Sequence, residues 1–219
     1  DGLESRGLGD VYKRQGESGY EIYLRNATLY ADDMWDAVLE AGKKHNLMVI
    51  APAHHRRIQA GILSWGQDLD HEHNPFQCNL GYQVSLSGKG EWAKKGDYIG
   101  KQALEKMKAD LKDGHKPYKL QLVGFEIGGK PIDEYAPDFW LVSPGDGGDP
   151  CGFITSPWYH PEKGKNIAMG YIPFDGTLNP NGFPKWELGK KFKVHLPDIY
   201  ADEPGAVSYT HLTLPTSSW

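Results

Sequence analysis

This 219-residue chain has no long apolar run, no excess of basic residues and few cysteines, and each of these features argues against a class of protein. No apolar run approaches the roughly 20 residues that a membrane-spanning helix needs, so no membrane span is expected. Lysines and arginines number 24 against 29 acidic residues, and this mildly acidic balance lacks the basic excess of a nucleic-acid-binding protein. The only two cysteines, Cys78 and Cys151, lie far apart and are expected to be free thiols in a reducing cytoplasm.

The two ends of the chain are related at the level of DNA. The hexapeptide DVYKRQ, residues 10–15, can be back-translated to GATGTGTATAAGAGACAG, whose reverse complement encodes Val-Ser-Tyr-Thr-His when read from its third base. That pentapeptide occurs at residues 207–211, and the shared element resembles the end of a transposon-based sequencing adapter. Because processing scars are set aside before fold reasoning, we expect residues 1–15 and 207–219 to be adapter-derived and non-native. The genuine insert, residues 16–206, is then expected to be an inner or C-terminal part of a longer protein.

The first half of the insert mixes helices and strands. Apolar periodicity predicts strands at residues 19–24, 47–52 and 79–86, and helices at residues 31–46, 54–65 and 99–114. Asp32 or Asp33 is predicted to cap the first helix, and Gly114 to end the last one. After Pro117 the chain becomes a series of short alternating runs separated by glycine and proline, which indicates a small all-β barrel or sandwich. The predicted class is therefore α+β, with a domain boundary near residue 115.

Two polar stretches contain residue types that bind ligands. The run His54-His55-Arg56-Arg57 could suggest a phosphate clamp, but adjacent helical residues point in different directions, so surface and helix-packing roles are expected. The acid- and imidazole-rich residues 68–73 fit no calcium-loop or zinc spacing, so a solvated loop and no metal site are expected. Neither a nucleophile elbow nor a phosphate loop occurs in the sequence.

Five segments follow a family pattern in order and spacing. GESGYEIYL (residues 16–24) fits a Gly-x-x-Gly-[Phe/Tyr]-Glu-Ile strand, and RRIQAGILSWGQDLD (56–70) fits an arginine-containing helix followed by a Gly-x-Asp loop. NPFQCNLGYQVSL (74–86) and DYIGKQAL (97–104) fit a glycine-containing strand followed by Phe-[Ile/Leu]-Gly-[Lys/Arg]-x-x-Leu. GFITSPWYHPEKGKNIAMGYI (152–172) fits a β-domain pattern that ends in Lys-Asn-[Ile/Val]-Ala-Met-Gly. Together they resemble the glycine-cleavage T-protein superfamily of folate-dependent one-carbon transferases.

This resemblance implies a fold and a branch. Residues 16–115 would be the C-terminal part of a folate-binding domain, and residues 116–206 a C-terminal β-barrel domain; the first half of the folate domain would be absent. Gly-Tyr-Glu-Ile-Tyr and Asn-Pro-x-x-Cys are most similar to the dimethylsulfoniopropionate demethylase branch. Ala53 stands where aminomethyltransferases carry a cofactor-binding arginine, which counts against plain glycine cleavage, and Gln59 replaces the usual glutamate.

The resemblance also implies site residues. Glu21 occupies the position of the family's pterin-binding glutamate, and a carboxylate can accept two parallel hydrogen bonds from the edge of a pterin. Tyr23, on the same strand face, resembles a folate-contacting tyrosine. Trp65, Trp158 and Tyr159 are candidate walls of the substrate site, since aromatic faces attract a sulfonium cation. The family's catalytic aspartate would lie in the absent part, so no catalytic residue is assigned.

Three functions follow as hypotheses. The first is an enzyme fragment for tetrahydrofolate-dependent transfer from a small-molecule methyl donor, with glycine-cleavage aminomethyl transfer or another folate-dependent demethylation as alternatives. The second is a folate-binding regulatory module without catalysis, and the third is a β-domain interaction protein whose resemblance is only structural. A cytoplasmic location without nucleic-acid or membrane partners is expected, and the oligomeric state is left open.

Overall fold

The computed structural model describes most of the chain as two compact units, Asp1–Pro52 and Ala53–Trp219. Side chains are described for residues 22–50, 53–84, 86, 96–136, 138–180, 182, 184–185 and 187–202. Residues 5–6, 21 and 207–213 are described by their backbone alone. Within the described part, no helix is both long enough and apolar enough to cross a membrane.

The first unit is built around one helix. Strands β1 (Ser5–Arg6) and β2 (Glu21–Ile22) pair in antiparallel fashion, and helix α1 (Ala27–Gly42) continues into the 3-10 helix Lys43–His45. The helix was expected, but the prediction of its cap was wrong, because it begins after Asn26 and therefore encloses Asp32 and Asp33. Asn26 has a φ of 53°, a left-handed conformation that asparagine tolerates better than most residues.

The apolar run after α1 differs from its prediction. Residues 47–50 are not in a strand, and the exposed fraction of their side chains lies between 49% for Leu47 and 76% for Met48 and Ile50. The predicted buried strand is therefore wrong for these four residues, while residues 51–52 lie outside the described part. A strand needs a neighbour that satisfies its backbone N–H and C=O groups, and no described strand pairs with this run.

The second unit begins with a short helix. Helix α2 (His54–Gln59) ends six residues before its predicted end, since Gly61 turns the chain with a φ of 68°. The strand predicted at residues 79–86 is wrong for the described part of that segment: Gly81–Gln83 form a 3-10 helix, the other described residues are not in a strand, and residue 85 is not described. Helix α3 (Lys101–Lys112) confirms the last predicted helix, and Gly114 follows it with a φ of 81°.

Six antiparallel strands close into a barrel in the order β3-β6-β5-β4-β7-β8. They are β3 (Leu120–Ile127), β4 (Trp140–Pro144), β5 (Gly152–His160), β6 (Lys165–Pro173), β7 (Lys191–His195) and β8 (Val207–Thr213). Five of them belong to the predicted β region, and β8, which pairs with β7 and β3, falls in the stretch predicted to be adapter-derived. The barrel is filled by alternating apolar side chains, among them Val123, Phe125, Val142, Ile154 and Val194, each at most 1% exposed.

The barrel packs directly against the segments that precede it. Ile58 of α2 lies in one apolar cluster with Leu122 and Tyr171 of the barrel. Phe76 and Leu111 lie in another cluster with Tyr118 and Phe174. These shared cores place α2, α3 and the barrel in one compact unit. The α+β class is confirmed, whereas a separate barrel domain beginning near residue 116 stays a prediction.

Candidate functional site

Arg57 of α2 is the centre of a buried polar network between the helix and strand β5. Its Nη1 donates to Asp68 Oδ2 at 2.8 Å, and its Nη2 donates to Gln67 Oε1 at 2.9 Å and to Ser156 Oγ at 2.8 Å. The Arg57 side chain is 17% exposed and that of Asp68 is 0% exposed. A guanidinium is planar and always charged, so it suits a buried ion pair in which several acceptors must be met at once.

Asp68 is surrounded by hydrogen-bond donors. Its Oδ1 accepts from the hydroxyls of Thr155 and Ser156, each at 2.5 Å, and its Oδ2 accepts from the backbone N–H of Ser64 at 2.8 Å as well as from Arg57. A buried carboxylate is tolerated only when a cation balances its charge and hydrogen bonds satisfy its oxygens, and both conditions are met here.

A β-bulge brings two successive hydroxyls to one oxygen. Side chains of consecutive strand residues normally point to opposite faces. The pairing of β5 with β6 shifts register between Ile154 and Ser156. Because a bulge redirects side chains locally, Thr155 and Ser156 both reach Asp68.

These contacts correct two expectations from the sequence. Asp68 does not lie in a solvated loop, because Arg57 neutralises it inside the protein. The surface role expected for Arg57 is wrong, whereas the helix-packing role is confirmed, since Arg57 joins α2 to Ser156 of β5. The available signal was the spacing of the Arg-containing helix and the Gly-x-Asp loop. A charged residue in a loop predicts exposure to solvent, but Arg57, 11 residues before Asp68, stabilises this carboxylate in the interior.

Three rings lie beside this network. His54 stacks on Trp158 with ring centroids 4.8 Å apart, and it meets Tyr135 edge-on at 5.0 Å. The Tyr135 hydroxyl donates to Gln67 Oε1 at 2.7 Å. Burial, together with the positive charge of Arg57, lowers the pKa of His54 below its ordinary 6.5, while Asp68 opposes the shift. His54 Nδ1 accepts from Arg57 Nε at 3.3 Å, which places the proton of the neutral ring on Nε2.

A second series of contacts extends from Asp68 through Tyr171 to the thiol of Cys78. The Tyr171 hydroxyl donates to the backbone oxygen of Asp68 at 2.6 Å and lies 3.4 Å from Cys78 Sγ. Burial raises the pKa of the Cys78 thiol, and the nearby carboxylates of Asp68 and Asp70 act in the same direction. Both Cys78 and Cys151 are free, as the sequence predicted. The loop that precedes Cys78 holds an Asp70–His73 pair at 2.7 Å.

Comparison with known proteins points to one family. The profile of the GCVT N-terminal domain matches residues 15–88. An aminomethyltransferase from Caldanaerobacter subterraneus is 30% identical over 159 residues, which are 72% of this chain and 37% of the relative. The dimethylsulfoniopropionate demethylase DmdA of Ruegeria pomeroyi is 29% identical over 200 residues, covering 90% of this chain and 47% of that enzyme. The chain belongs to the glycine-cleavage T-protein superfamily.

A solved structure supports the family fold. The aminomethyltransferase T of the glycine cleavage system from Bartonella henselae aligns with a TM-score of 0.51 at 20% identity, covering 74% of this chain and 37% of that one. At this identity the likeness concerns the fold. The chain spans less than half the length of these T-protein relatives, between 37% and 47%.

The site residues expected from the T-protein resemblance fall in both units. Glu21 lies in β2, where its backbone is in register with Arg6, and its side chain lies outside the described part. Tyr23 follows that strand with 61% of its surface exposed. The assignment of these two residues to the pterin stays a prediction.

The three aromatic candidates of the second unit do not form one group. Trp65 is 62% exposed and meets His71 edge-on at 4.8 Å. Trp158 is held between His54 and the apolar cluster around Ile58, and Tyr159 is half-buried on the same strand. Among ring contacts of the described residues, none joins Trp65 to Trp158 or Tyr159. Within the same residues, no group of three or more metal-ligating side chains is close enough to hold an ion.

Proposed function

We propose that this chain is part of a tetrahydrofolate-dependent one-carbon transferase that removes a methyl group from a sulfonium donor. The match to the demethylase DmdA carries this proposal, because it extends over 90% of the chain, whereas the first aminomethyltransferases extend over 72–73%. The alternative, transfer of an aminomethyl group as in glycine cleavage, is supported by their identity of 30–32%.

The chemistry needs positioning more than acid–base help. In the proposed reaction a C–S bond breaks, the neutral sulfide leaves with the bonding electron pair, and a C–N bond forms to the folate nitrogen, which releases its proton. Holding the two reactants in line can lower the activation barrier by roughly 7–11 kcal/mol, because their translational and rotational entropy is already lost on binding. Tetrahydrofolate would supply the accepting nitrogen.

The residues of this chain fit such a role in two ways. The carboxylate of Glu21 would accept the paired N–H groups of a pterin edge, and Tyr23, with its ring accessible, would contact the flat heterocycle. Trp65, also exposed, would offer an aromatic face to the sulfonium, an attraction of roughly 0.5–2 kcal/mol. Trp158 and Tyr159 would contribute less, since each is partly covered by its own unit.

The test uses the full-length protein of the parent gene, incubated with tetrahydrofolate and dimethylsulfoniopropionate. Formation of methylated folate is expected, and a Glu21→Ala variant should bind tetrahydrofolate at least tenfold more weakly, since a charged hydrogen-bonding partner is worth about 1.5–3 kcal/mol. Glu40→Ala is the matched control, because Glu40 is an exposed carboxylate of the same unit. Folate binding without any transfer would favour a regulatory module, and transfer only from an aminomethyl donor would favour glycine cleavage.

The 219-residue chain alone is expected to be inactive in the same assay. It spans less than half of its T-protein relatives, so much of a folate site built on their plan would lie outside it. Turnover by this chain at the rate of the full-length protein would contradict the assignment of the site.

A further inference from the structure

The loop that carries Trp65 is closed by the carboxylate of Asp68 and by two backbone hydrogen bonds. Asp68 Oδ2 accepts from the backbone N–H of Ser64, the residue before Trp65. The backbone N–H of Asp68 donates to Ser64 O at 2.8 Å, and Gly66 N donates to Leu69 O at 2.8 Å. Trp65 therefore lies in a closed turn, residues 64–69, whose two ends are joined by hydrogen bonds.

The same carboxylate attaches this turn to two other elements. Oδ2 receives Arg57 of α2, and Oδ1 receives Thr155 and Ser156 of β5. The turn is thus held by a group that is 0% exposed, while the indole it carries is 62% exposed. An exposed aromatic side chain on a rigid support is the arrangement that binding sites use, since little conformational entropy is lost when a ligand binds.

We propose that Asp68 is a positioning residue that presents the Trp65 indole to a cationic methyl donor without touching the donor. This inference rests on the proposed function, in which Trp65 lines the donor site. Asp68 acts through Trp65: without the carboxylate, Ser64 N–H and Arg57 lose their acceptor, and the turn that carries the indole is held less firmly, although Gln67 Nε2 still donates to Thr155 O. Donor binding weakens, whereas the transfer step, which depends on other groups, continues at its own rate.

The test is a double-mutant cycle on the full-length protein of the parent gene, with dimethylsulfoniopropionate and tetrahydrofolate as substrates. Asp68→Asn and Trp65→Ala are each expected to raise the KM for the donor about tenfold, the scale of one cation–π contact, and to change kcat less than twofold. In the Trp65→Ala background, Asp68→Asn should raise KM no further. Glu126→Gln, which breaks the exposed pair with Lys165, is the control for a lost carboxylate and should leave KM unchanged.

A second pair of variants keeps the test open if Asp68→Asn fails to fold. Thr155→Val and Ser156→Ala each remove one of the four donors to the carboxylate and should raise the donor KM in the same direction. In the 219-residue chain, hydrogen exchange at residues 62–69 should accelerate in Thr155→Val while helix α3 stays protected. That exchange measurement reports on the loop whether or not the protein transfers a methyl group.

The possible results distinguish failure of the positioning role of Asp68 from failure of the proposed methyl transfer. A KM effect of Asp68→Asn that persists in the Trp65→Ala background would overturn the positioning role, as would an unchanged KM in a folded Trp65→Ala or Asp68→Asn protein. If the unaltered full-length protein transfers no methyl group from the donor, the proposed function fails and the positioning role for that donor fails with it.

Discussion

Replacing Arg57 by methionine should destabilise the protein strongly, because the carboxylate of Asp68 would remain buried without a cation. The side chain of Asp68 is 0% exposed and that of Arg57 17%, so water cannot take over the role of the guanidinium without opening the structure. Removing one partner of a buried pair costs about 3–5 kcal/mol. Arg57→Met also removes donors to Gln67 and Ser156. A loss of about 3–5 kcal/mol is a large part of the 5–15 kcal/mol that is typical for the unfolding free energy of a domain.

The assay is equilibrium unfolding in urea, followed by tryptophan fluorescence and by circular dichroism, on the unaltered chain and three variants. Arg57→Met alone should lose about 3–5 kcal/mol of unfolding free energy. Arg57→Met combined with Asp68→Asn should recover about 2 kcal/mol of that loss, because the amide has no charge and its oxygen can still accept from Thr155 and Ser156. Lys165→Met, which breaks an ion pair that is 57% and 30% exposed, should cost about 1 kcal/mol or less.

Two results would refute this reasoning. If Arg57→Met costs no more than Lys165→Met, the pair is solvated in solution and the network does not hold α2 to β5. If the double variant is as unstable as Arg57→Met alone, the loss comes from packing of the arginine stem and not from an unpaired charge. Coincident transitions from the two probes are needed for either comparison.

Three further predictions concern separate parts of the second unit. Gly152→Ala should destabilise the barrel by about 1–3 kcal/mol in urea unfolding, because a Cβ there would collide with the backbone oxygen of Tyr171; Gly164→Ala, in an open turn, should cost less. A thiol reagent should modify Cys151 well before Cys78, because Cys78 is 3% exposed and Cys151 is only partly buried, while burial raises the pKa of both thiols; equal rates would contradict the buried position. His54 should titrate below 6.5 by NMR, and since the unfolded chain then binds more protons, this group's contribution to stability should fall as the pH drops below about 6.5.

Local patterns predicted the elements whose stability depends on nearby residues. Apolar spacing predicted the amphipathic helix α3. The glycine at position 114 predicted its end, and Gly114 has a φ of 81°, which glycine adopts without strain. Strands β3 to β7 follow from the short alternating runs, since each of them places apolar side chains in the barrel interior. The predictions were wrong where a local pattern was ambiguous: an apolar run at residues 47–50 indicated a strand, although a strand also needs a partner.

The ordered T-protein motifs were readable in the chain alone, and the comparisons confirm the family that they indicate. The motif spacing marked Arg57 and Asp68 but not their contacts, because these depend on Ser156, which lies 99 residues beyond Arg57, and on a bulge that turns Thr155 toward the same carboxylate. Spacing along a chain determines helix and strand periods, since these arise from neighbouring residues. Whether a charge is solvated or buried is decided only when the folded chain brings its distant partner within hydrogen-bonding distance.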